Sequence, residues 1–516
     1  MTTTSTSNSN DSLEWKFSQV FGERLPEEQV QDVDKVSTID FDKTGDYIAT
    51  GDRGGRVVIF QRTDDVSTRT PRKELEQLDY NVNKCIEYRY KTEFQSHEPE
   101  FDYLRSVEIE EKINKVRWCS SPNESLFILS TNDKTIKLWK VRESKVKQVK
   151  KMDQDPHVTS ENALLGHNSF TSGQEEKTAA NGYCLEWKTS IPNHTSPARQ
   201  ESLTEIANFG EAASAKCRRV YAHAHDYIIN SISNNSDGEI FITADDLRIN
   251  LWNMEISNQC FNIIDMKPPN MEDLTEVITA AEFHPISCNV LAYSSSRGFI
   301  RLVDMRKSAL CDQHAKILQD AEVQGSKSFF TEIVTSISDI KFASDGRHIL
   351  SRDYMNLKLW DLNMDVSPVA TFKIHEHLRP KIIEKYSKCE KISDLYNNDS
   401  IFDKFECCLS GDGLQFATGS YSNRFQIFPR DGSGEGITLE ASKNPNRKHV
   451  HTQPRARRAS LSNLTRVNFR QGHENTNSHS NGLPSDFNSK LLYLAWHPTA
   501  NLIACAVANS LYMYQA

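Results

Sequence analysis

Residues 243–252 read TADDLRINLW, a polar turn followed by an alternating run that ends in a tryptophan. Alternation with a period of two is typical of a half-buried β-strand, and adjacent Asp residues before it are typical of a turn. Asp245 and Asp246 either close that turn or form part of a binding site. The choice depends on the fold to which the stretch belongs.

The same turn-and-strand pattern recurs along the chain, and two further strand-like runs precede each copy. Seven such units, each with three strands and a variable fourth, predict an all-β fold, a seven-bladed WD-repeat β-propeller with long polar insertions. The Gly-His pair that usually opens a WD repeat is mostly missing, so we expect an incomplete polar network inside the blades. The recurring stretches include DRGGRVVIF (52–60), TNDKTIKLW (131–139), RGFIRLVD (297–304), DYMNLKLWD (353–361) and SYSNRFQIF (420–428).

The last unit, from Lys490 to Ala516, supplies three strands. The segment 13–22, LEWKFSQVFG, lies before the first unit and alternates like a strand. We expect it to add the fourth strand of the last blade, because that pairing would cover an exposed sheet edge. The polar residues 1–12 predict a disordered tail.

Two long polar stretches interrupt the single predicted domain, which spans residues 13–516. Residues 141–217 predict an arm-like insertion, and residues 429–489 predict a largely disordered one. The second contains RRAS, which ends at Ser460 and is either a basophilic kinase site or a chance basic stretch. The link 79–111 is instead rich in aromatic residues, which predicts a segment that is buried or bound.

The composition narrows the classes of function. The chain has 516 residues and a net charge of -9, and this acidic balance argues against a general affinity for nucleic acid. Mean hydropathy is -0.59, and no apolar run reaches the length of a membrane span, so we expect no membrane insertion. The 11 cysteines include no Cys-x-x-Cys pair, which favours reduced thiols in an intracellular protein over zinc-finger sites.

No motif in the chain carries catalytic or metal chemistry. GDRGGR (51–56) lies between two strands rather than at a helix start, so it is typical of a turn rather than of a phosphate cradle. HAH (223–225) and HEHL (375–378) lack the spacing of a zinc motif. FHP (283–285) and WHP (496–498) recur at one repeat position, which indicates turn geometry. We expect a protein that is not an enzyme and has no cofactor.

Several long stretches resemble the B-type, WD-repeat regulatory subunit of protein phosphatase 2A. The resemblance runs from LEWKFSQV to the C-terminus and is interrupted by the two insertions, which look like those of fungal members. The matching stretches include FQSHEPEFDYLRSVEIEEKINKVRW (94–118), HAHDYIINSISNNSD (223–237), FNIIDMKPPNMEDLTEVITAAEFHP (261–285), SRDYMNLKLWDLNMD (351–365) and IFDKFECC (401–408).

The resemblance implies a non-catalytic subunit that is cytoplasmic and nuclear. Such a subunit docks on a helical-repeat scaffold subunit, next to a separate catalytic subunit. There it presents phosphoprotein substrates, among them mitotic proteins with basic flanks, and it binds protein inhibitors. The arm that meets the scaffold in the family corresponds to the insertion after Trp139.

The resemblance also implies a substrate-binding set on the top face near the central channel, at Asp246, Leu274, Asp353 and Lys358, with Arg53 at a usually basic position. Counting back seven residues from the end of each third strand places Arg53, Asp245 and Asp353 at one turn position. Equivalent turns converge at one mouth of a propeller. We therefore expect an acidic channel rim that attracts Lys and Arg side chains of a substrate.

Some assignments stay open at this point. Asp246 either ties its turn together or contacts substrate, and Leu274 is either an exposed anchor or a packing residue. Ile228 stands where the family usually has a histidine, so any hydrogen bond of that imidazole is lost. VDMR (303–306) echoes the receptors of cullin-type ubiquitin ligases without their tryptophan, which leaves an adaptor of another complex as the alternative function.

Overall fold

The computed structural model describes the strands and links of a propeller. All structural statements below concern residues 14–23, 30–63, 85–120, 125–144, 212–308, 310–311, 315–320, 329–364, 367–375, 395–432, 436–444 and 487–516.

Seven four-stranded antiparallel sheets follow one another along the chain and form the blades. Strand β1 (Lys16–Phe21) comes first. The first blade contains β2 (Val36–Phe41), β3 (Tyr47–Asp52), β4 (Arg56–Thr63) and β5 (Glu87–Gln95); a hairpin of β6 (Glu100–Asp102) and β7 (Val107–Ile109) follows it. The second blade contains β8 (Lys115–Cys119), β9 (Leu126–Thr131), β10 (Ile136–Ser144) and β11 (Ala212–Tyr221); the third contains β12 (Ser231–Asn234), β13 (Ile240–Ala244), β14 (Arg248–Asn253) and β15 (Ile256–Asp265).

The remaining blades have the same order of strands. The fourth contains β16 (Ile278–Phe283), β17 (Val290–Ser295), β18 (Ile300–Asp304) and β19 (Lys316–Leu318); helix α1 (Phe329–Thr335) precedes the fifth, which contains β20 (Ile337–Phe342), β21 (His348–Asp353), β22 (Asn356–Asp361) and β23 (Ala370–Lys373). The sixth contains β24 (Cys407–Leu409), β25 (Gln415–Gly419), β26 (Arg424–Pro429) and β27 (Ile437–Glu440); the seventh contains β28 (Leu494–Trp496), β29 (Leu502–Val507) and β30 (Ser510–Gln515).

The seventh blade is completed by the N-terminal strand. Strand β1 pairs antiparallel with β30, and the sheet order is β1-β30-β29-β28. The buried side chain of Trp15 packs edge-on against Trp496, with the ring centroids 5.3 Å apart. The pairing joins the two ends of the chain and removes an exposed edge. The predicted seven-bladed WD-repeat fold, closed by the segment 13–22, is confirmed.

The first strands of all seven blades line a central cavity of about 460 Å³. Their alternation turns charged side chains toward this cavity. Arg117 Nη1 lies 2.8 Å from Asp40 Oδ1, and Lys115 forms an ion pair with Glu406. Burial raises the pKa of the Asp40 carboxyl, although Arg117 opposes the rise. The charges are therefore paired across blades and hold the inner strands together.

Apolar clusters fill the spaces between neighbouring blades, since both faces of each sheet are covered. One cluster joins Ile48 of the first blade to Leu502 and Met513 of the seventh. The tryptophans expected in the core are buried at Trp118, Trp252, Trp360 and Trp496, whereas Trp139 is half-buried.

Two histidines join adjacent blades. His284 Nε2 donates to Gly346 O of the fifth blade at 2.7 Å, and His497 Nε2 donates to Gly45 O of the first blade at 3.2 Å. Nδ1 of His284 also accepts from the backbone of Ser287 at 2.8 Å, which fixes the tautomer. The FHP and WHP motifs therefore shape their own turns, as expected, and also hold the next blade.

The structure corrects the bounds of both predicted insertions. Strand β10 extends into the range 141–217 and β11 begins at Ala212, so within that range residues 145–211 lie outside the described residues. Strand β27 falls within the range 429–489 and pairs with β26 as the outer strand of its blade. The predicted tail 1–12 and Ser460 also lie outside the described residues. No helix among the described residues is long and apolar enough to cross a membrane.

Candidate functional site

The turn of TADDLRINLW lies on what we call the upper face. This face is formed by the turns between the second and third strands of each blade and by the links between blades. The lower face is the opposite side. Asp245 begins the turn and is fully buried. Its Oδ1 accepts from the backbone amides of Leu247 at 2.8 Å and Arg248 at 2.7 Å.

A buried polar relay runs from Asp245 to the tryptophan of the next strand. His225 Nδ1 donates to Asp245 Oδ2 at 2.9 Å, and Thr243 Oγ1 donates to His225 Nε2 at 2.7 Å. Trp252 Nε1 donates to Thr243 Oγ1 at 2.9 Å. Burial opposes ionisation of Asp245, but the hydrogen bonds from His225 and the turn amides outweigh it and lower the pKa of the carboxyl.

Asp245 is therefore an internal residue of the third blade, and its assignment to the substrate-binding rim is corrected. Turn closure, one of the two roles left open for Asp246, therefore belongs to Asp245. The polar network is also complete in this blade. Its histidine comes from HAH (223–225), where the sequence lacks the usual Gly-His pair.

In the fifth blade a lysine takes the place of the missing histidine. Asp353 Oδ1 accepts from the amides of Met355 and Asn356 at 2.8 and 2.6 Å. Lys358 Nζ lies 3.4 Å from Asp353 Oδ2 and 3.0 Å from Asp320 Oδ2. The side chains of Lys358 and Asp353 are only 10% and 5% exposed. Both were expected on the rim, and the structure places them inside the blade as an ion pair.

The strand register also shows that Arg53 is not the equivalent of Asp245 and Asp353, as the sequence count had placed it. Gly51 pairs with Val57 and Ala244 pairs with Ile249, so five residues separate the strands in the first blade (57−51−1) and four in the third (249−244−1). Because the turn of the first blade has one residue more, counting back seven residues from the end of its third strand stops one residue too close to that strand. Asp52 is the counterpart of Asp245, and Arg53 is the counterpart of Asp246.

In the first three blades, the residue after the buried Asp or Asn of the turn is less buried and lies at the channel mouth. This position holds Arg53 in the first blade, Asp133 in the second and Asp246 in the third. Arg53 is exposed, and its Nη1 donates to Asp32 Oδ2 at 2.6 Å. Asp133 and Asp246 are half-buried. Asn114 Nδ2 donates to Asp133 Oδ1 at 2.8 Å.

The mouth carries charges of both signs rather than the acidic rim that we expected. Desolvation raises the pKa of Asp246, although the charge of Lys404 and a hydrogen bond from Asn230 oppose the rise. Burial lowers the pKa of the Lys112 ammonium, and the Arg53 guanidinium lowers it further. Lys404 belongs to the quoted stretch IFDKFECC, but sequence reasoning did not single it out.

Leu274 lies in the link from the third to the fourth blade. It follows a short 3-10 helix, Met271–Asp273, whose first turn is capped by Asn270. The Leu274 side chain is half-buried, and Ile278, the first residue of β16, donates its amide to Asp246 O at 2.7 Å. This bond ties the end of the link that holds Leu274 to Asp246, and the contact of Leu274 with a substrate stays a prediction.

The hairpin β6–β7 presents an exposed apolar tip on the same face. Tyr103 is 86% exposed and Leu104 is 98% exposed. Arg105 Nη2 donates at 2.5 Å to Oδ1 of Asp226, which lies in the link between the second and third blades. The aromatic richness of the link 79–111 was the signal for this feature, although it did not locate the tip.

A second upper-face feature was missed by sequence reasoning. A pocket of about 360 Å³ opens between the fourth, fifth and sixth blades, with Ile333 and Ile401 on its walls and Arg297 and Lys404 at its rim. Beside it, Tyr396 contacts Phe329 and Phe402, with ring centroids 5.5 and 5.8 Å apart. Its residues come from three links and from turns and strands of the fourth and fifth blades, so no local pattern marks it. No group of three or more potential metal ligands occurs in the part of the chain that the structure describes.

Comparison of the sequence with known protein families and proteins identifies a WD-repeat protein, in agreement with the propeller fold. The family described as "WD domain, G-beta repeat" matches residues 215–253, which include every residue of the polar relay from His225 to Trp252. The chain is 60% identical to the B beta isoform of the serine/threonine protein phosphatase 2A 55 kDa regulatory subunit of Arabidopsis thaliana, over 99% of this chain and 98% of that protein. The chain belongs to the family of 55 kDa B-type regulatory subunits of protein phosphatase 2A (the B family).

Relatives from distant lineages carry the same kind of name. Identity is 46% to the B-type regulatory subunit of protein phosphatase PP2A in Schizosaccharomyces pombe, over 98% of both chains. It is 44% to the protein phosphatase PP2A 55 kDa regulatory subunit of Drosophila melanogaster, over 98% of this chain and 88% of that protein. The plant relative is thus more similar than the fungal one, despite the fungal look of the insertions. This member of the B family is a regulatory subunit and not a catalytic one.

The structure also places two residues that the sequence singled out, Ile228 and Arg306. Ile228, in place of a histidine, is 53% exposed on the upper face. Arg306 of VDMR is turned back on its own turn, where Nη2 donates to Asp304 Oδ2 at 2.7 Å and Nε donates to Oδ1 at 2.9 Å. The resemblance to ubiquitin-ligase receptors rested on this arginine, and here its guanidinium is bound by a carboxylate of the same turn.

Proposed function

We propose that this member of the B family docks on the scaffold subunit of protein phosphatase 2A and presents phosphoprotein substrates to the catalytic subunit through its upper face. The observation that carries the proposal is the convergence of Arg53, Lys112, Asp133, Asp246 and Lys404 at one mouth. Polar residues that turns and links hold on a stiff scaffold are where binding sites form.

The mixed charge of the mouth fits a phosphoprotein segment better than a purely acidic rim does. Asp133 and Asp246 suit the Lys and Arg residues that flank a phosphorylated site, through charge-assisted hydrogen bonds. Lys112, Arg53 and Lys404 suit acidic groups of the same segment. Protein inhibitors that carry both kinds of charge would compete for this surface.

The apolar features on the same face add area to the charged mouth. The hairpin tip at Tyr103 and Leu104 and the pocket beside Ile333 are separated by the mouth itself. Exposed apolar groups rimmed by charge are typical of protein interaction sites. A segment that crosses the mouth would contact both.

Affinity purification of the full chain from its own cells, with mass spectrometry and phosphatase assay of the eluate, tests the proposed assembly. We expect a scaffold subunit, a catalytic subunit and phosphatase activity. An eluate without phosphatase subunits would contradict the proposal.

A charge reversal tests the proposed surface. Asp246→Lys is expected to weaken binding of lysine-flanked phosphoproteins by about tenfold while assembly persists, because it places a cation among Lys112 and Lys404. The matched control is Glu93→Lys on the outer strand of the first blade, where the side chain is exposed. Equal losses in both variants would remove Asp246 from the binding surface.

A further inference from the structure

The hairpin β6–β7 needs an anchor to keep its place. It contains three pairs of residues, Glu100↔Ile109 to Asp102↔Val107. A two-stranded hairpin is marginally stable by itself in water. Its turn is closed by Asp102 Oδ1, which accepts from the amides of Leu104 and Arg105 at 3.0 and 3.2 Å. These bonds shape the turn but do not orient the hairpin on the blade.

Asp226 supplies that orientation from the link between the second and third blades. Its Oδ1 accepts from Arg105 Nη2 at 2.5 Å, and its Oδ2 accepts from Arg248 Nη1 at 2.9 Å. Arg248 Nε also donates to Asp265 Oδ2 at 3.0 Å, and Lys134 Nζ donates to Asp226 O at 2.5 Å. One carboxylate thus links the hairpin to a network that spans the second and third blades. A network of several charges fixes geometry better than an isolated surface pair does.

The tip that this network holds is apolar, and its surroundings are acidic. Tyr103 and Leu104 are almost fully exposed, and Ile228, two residues after Asp226, is exposed as well. The exposed acids of the hairpin region are Glu98, Glu100, Glu108 and Glu110. Charge complementarity therefore favours a partner segment in which apolar side chains alternate with Lys or Arg.

We propose that Asp226 is a positioning residue. It holds the hairpin so that Tyr103, Leu104 and Ile228 receive the apolar side chains of a basic substrate segment. The proposal rests on the proposed function of the upper face and adds a residue that acts through the hairpin rather than on the substrate.

Hydrogen exchange of the full chain tests the anchoring step without any ligand. In Asp226→Asn we expect the amides of residues 100–109 to exchange about fivefold faster, since loss of the charge weakens the tie to Arg105 and Arg248. Asp226→Glu should restore most of the protection. The matched control is Asp46→Asn, which removes the exposed pair of Asp46 with Arg62 on the lower face. Unchanged exchange in Asp226→Asn overturns the proposal.

Binding to the assembled holoenzyme tests the consequence for substrates. The probe is a synthetic phosphopeptide with leucines placed among lysines, and the matched probe has serines in place of the leucines. Asp226→Asn should weaken the leucine probe by about fivefold, the scale of a coupling near 1 kcal/mol, and leave the serine probe unchanged. Equal effects on both probes overturn the positioning role. If the wild type binds neither probe while hydrogen exchange responds, the upper-face function fails and the anchoring stands.

Discussion

At the scale of the residue, two adjacent aspartates have opposite roles because a turn points their side chains in different directions. Asp245 faces the blade interior, where a histidine and two amides satisfy it. Asp246 faces the mouth, where desolvation raises its pKa. A buried hydrogen-bond donor that loses its acceptor costs far more free energy of folding than an exposed donor, which water can satisfy. The two positions should therefore respond very differently to the same substitution.

We expect Asp245→Asn to lower the free energy of unfolding by about 3 kcal/mol, because it leaves His225 without its acceptor and perturbs the two amide bonds. Asp246→Asn should change it by less than about 1 kcal/mol. Urea denaturation of both variants measures the difference. Similar losses in the two variants would mean that Asp246 also carries the turn.

A second residue-scale prediction concerns acid. His97 is buried, and burial together with the nearby charge of Lys137 lowers the pKa of its imidazole to about 3. The folded state thus keeps the imidazole neutral, whereas the unfolded chain binds a proton near pH 6.5. Stability is fully present above that pH and falls as pH drops from about 6.5 toward 3, by about 1.4 kcal/mol per unit.

Denaturation at several pH values in this window checks the sign. His97→Gln should flatten the loss relative to the wild type, because glutamine takes up no proton. The pKa of His497 is lowered by burial too, so both proteins retain some acid sensitivity. A wild type and variant with parallel pH profiles would rule out the contribution of His97.

At the scale of the element, one strand closes the ring. Strand β1 lies far from β30 in sequence, and its pairing forms only when the whole ring is in place. Trp15, just before the strand, is buried against Trp496, and Phe17 in the strand packs near Tyr514, with ring centroids 6.1 Å apart. The closing strand is therefore held by aromatic packing as well as by the ladder.

We expect Trp15→Ala to destabilise the protein by about 3–5 kcal/mol, the range for truncation of a large buried aromatic. Deletion of residues 1–12, which keeps β1, is the matched control and should leave the melting temperature nearly unchanged. Deletion of residues 1–22 should lower it sharply. Thermal unfolding of the three variants decides the matter, and equal melting temperatures would contradict closure by β1.

At the scale of the whole molecule, the seven blades bring distant charges to one mouth. Arg53 and Lys404 are separated by most of the chain, yet both act on groups at this opening. Such a mixed surface on a chain of net charge -9 favours attraction of basic segments over long distances, and salt screens that attraction.

We expect the association rate of a lysine-flanked phosphopeptide with the holoenzyme to fall by about tenfold between low and physiological salt. In Asp246→Lys the fall should be smaller, since the attracting carboxylate is replaced by a cation. Stopped-flow binding at several ionic strengths measures the slopes. If Asp246→Lys has the wild-type slope, electrostatic steering does not involve this residue.

The sequence by itself determined the number of blades, the closing strand and the family. Each third strand ends in a large apolar residue after a polar turn, and that period survives local variation because every blade must bury the same faces. The tertiary structure alone decided which polar residues face outward. One additional residue in the turn of the first blade shifts Arg53 by one position relative to Asp245. In the fifth blade, Lys358 stands where a histidine would, and it forms a buried ion pair with Asp353.

The mouth itself is a product of long-range packing. Lys404, the hairpin tip and the pocket near Ile333 lie on links of different blades, and no local pattern encodes their proximity. TADDLRINLW illustrates both what the sequence determines and what only the tertiary structure decides. Its alternation indicates a blade, but only the buried relay through His225 and Trp252 separates the acid that closes the turn from the acid that faces a partner.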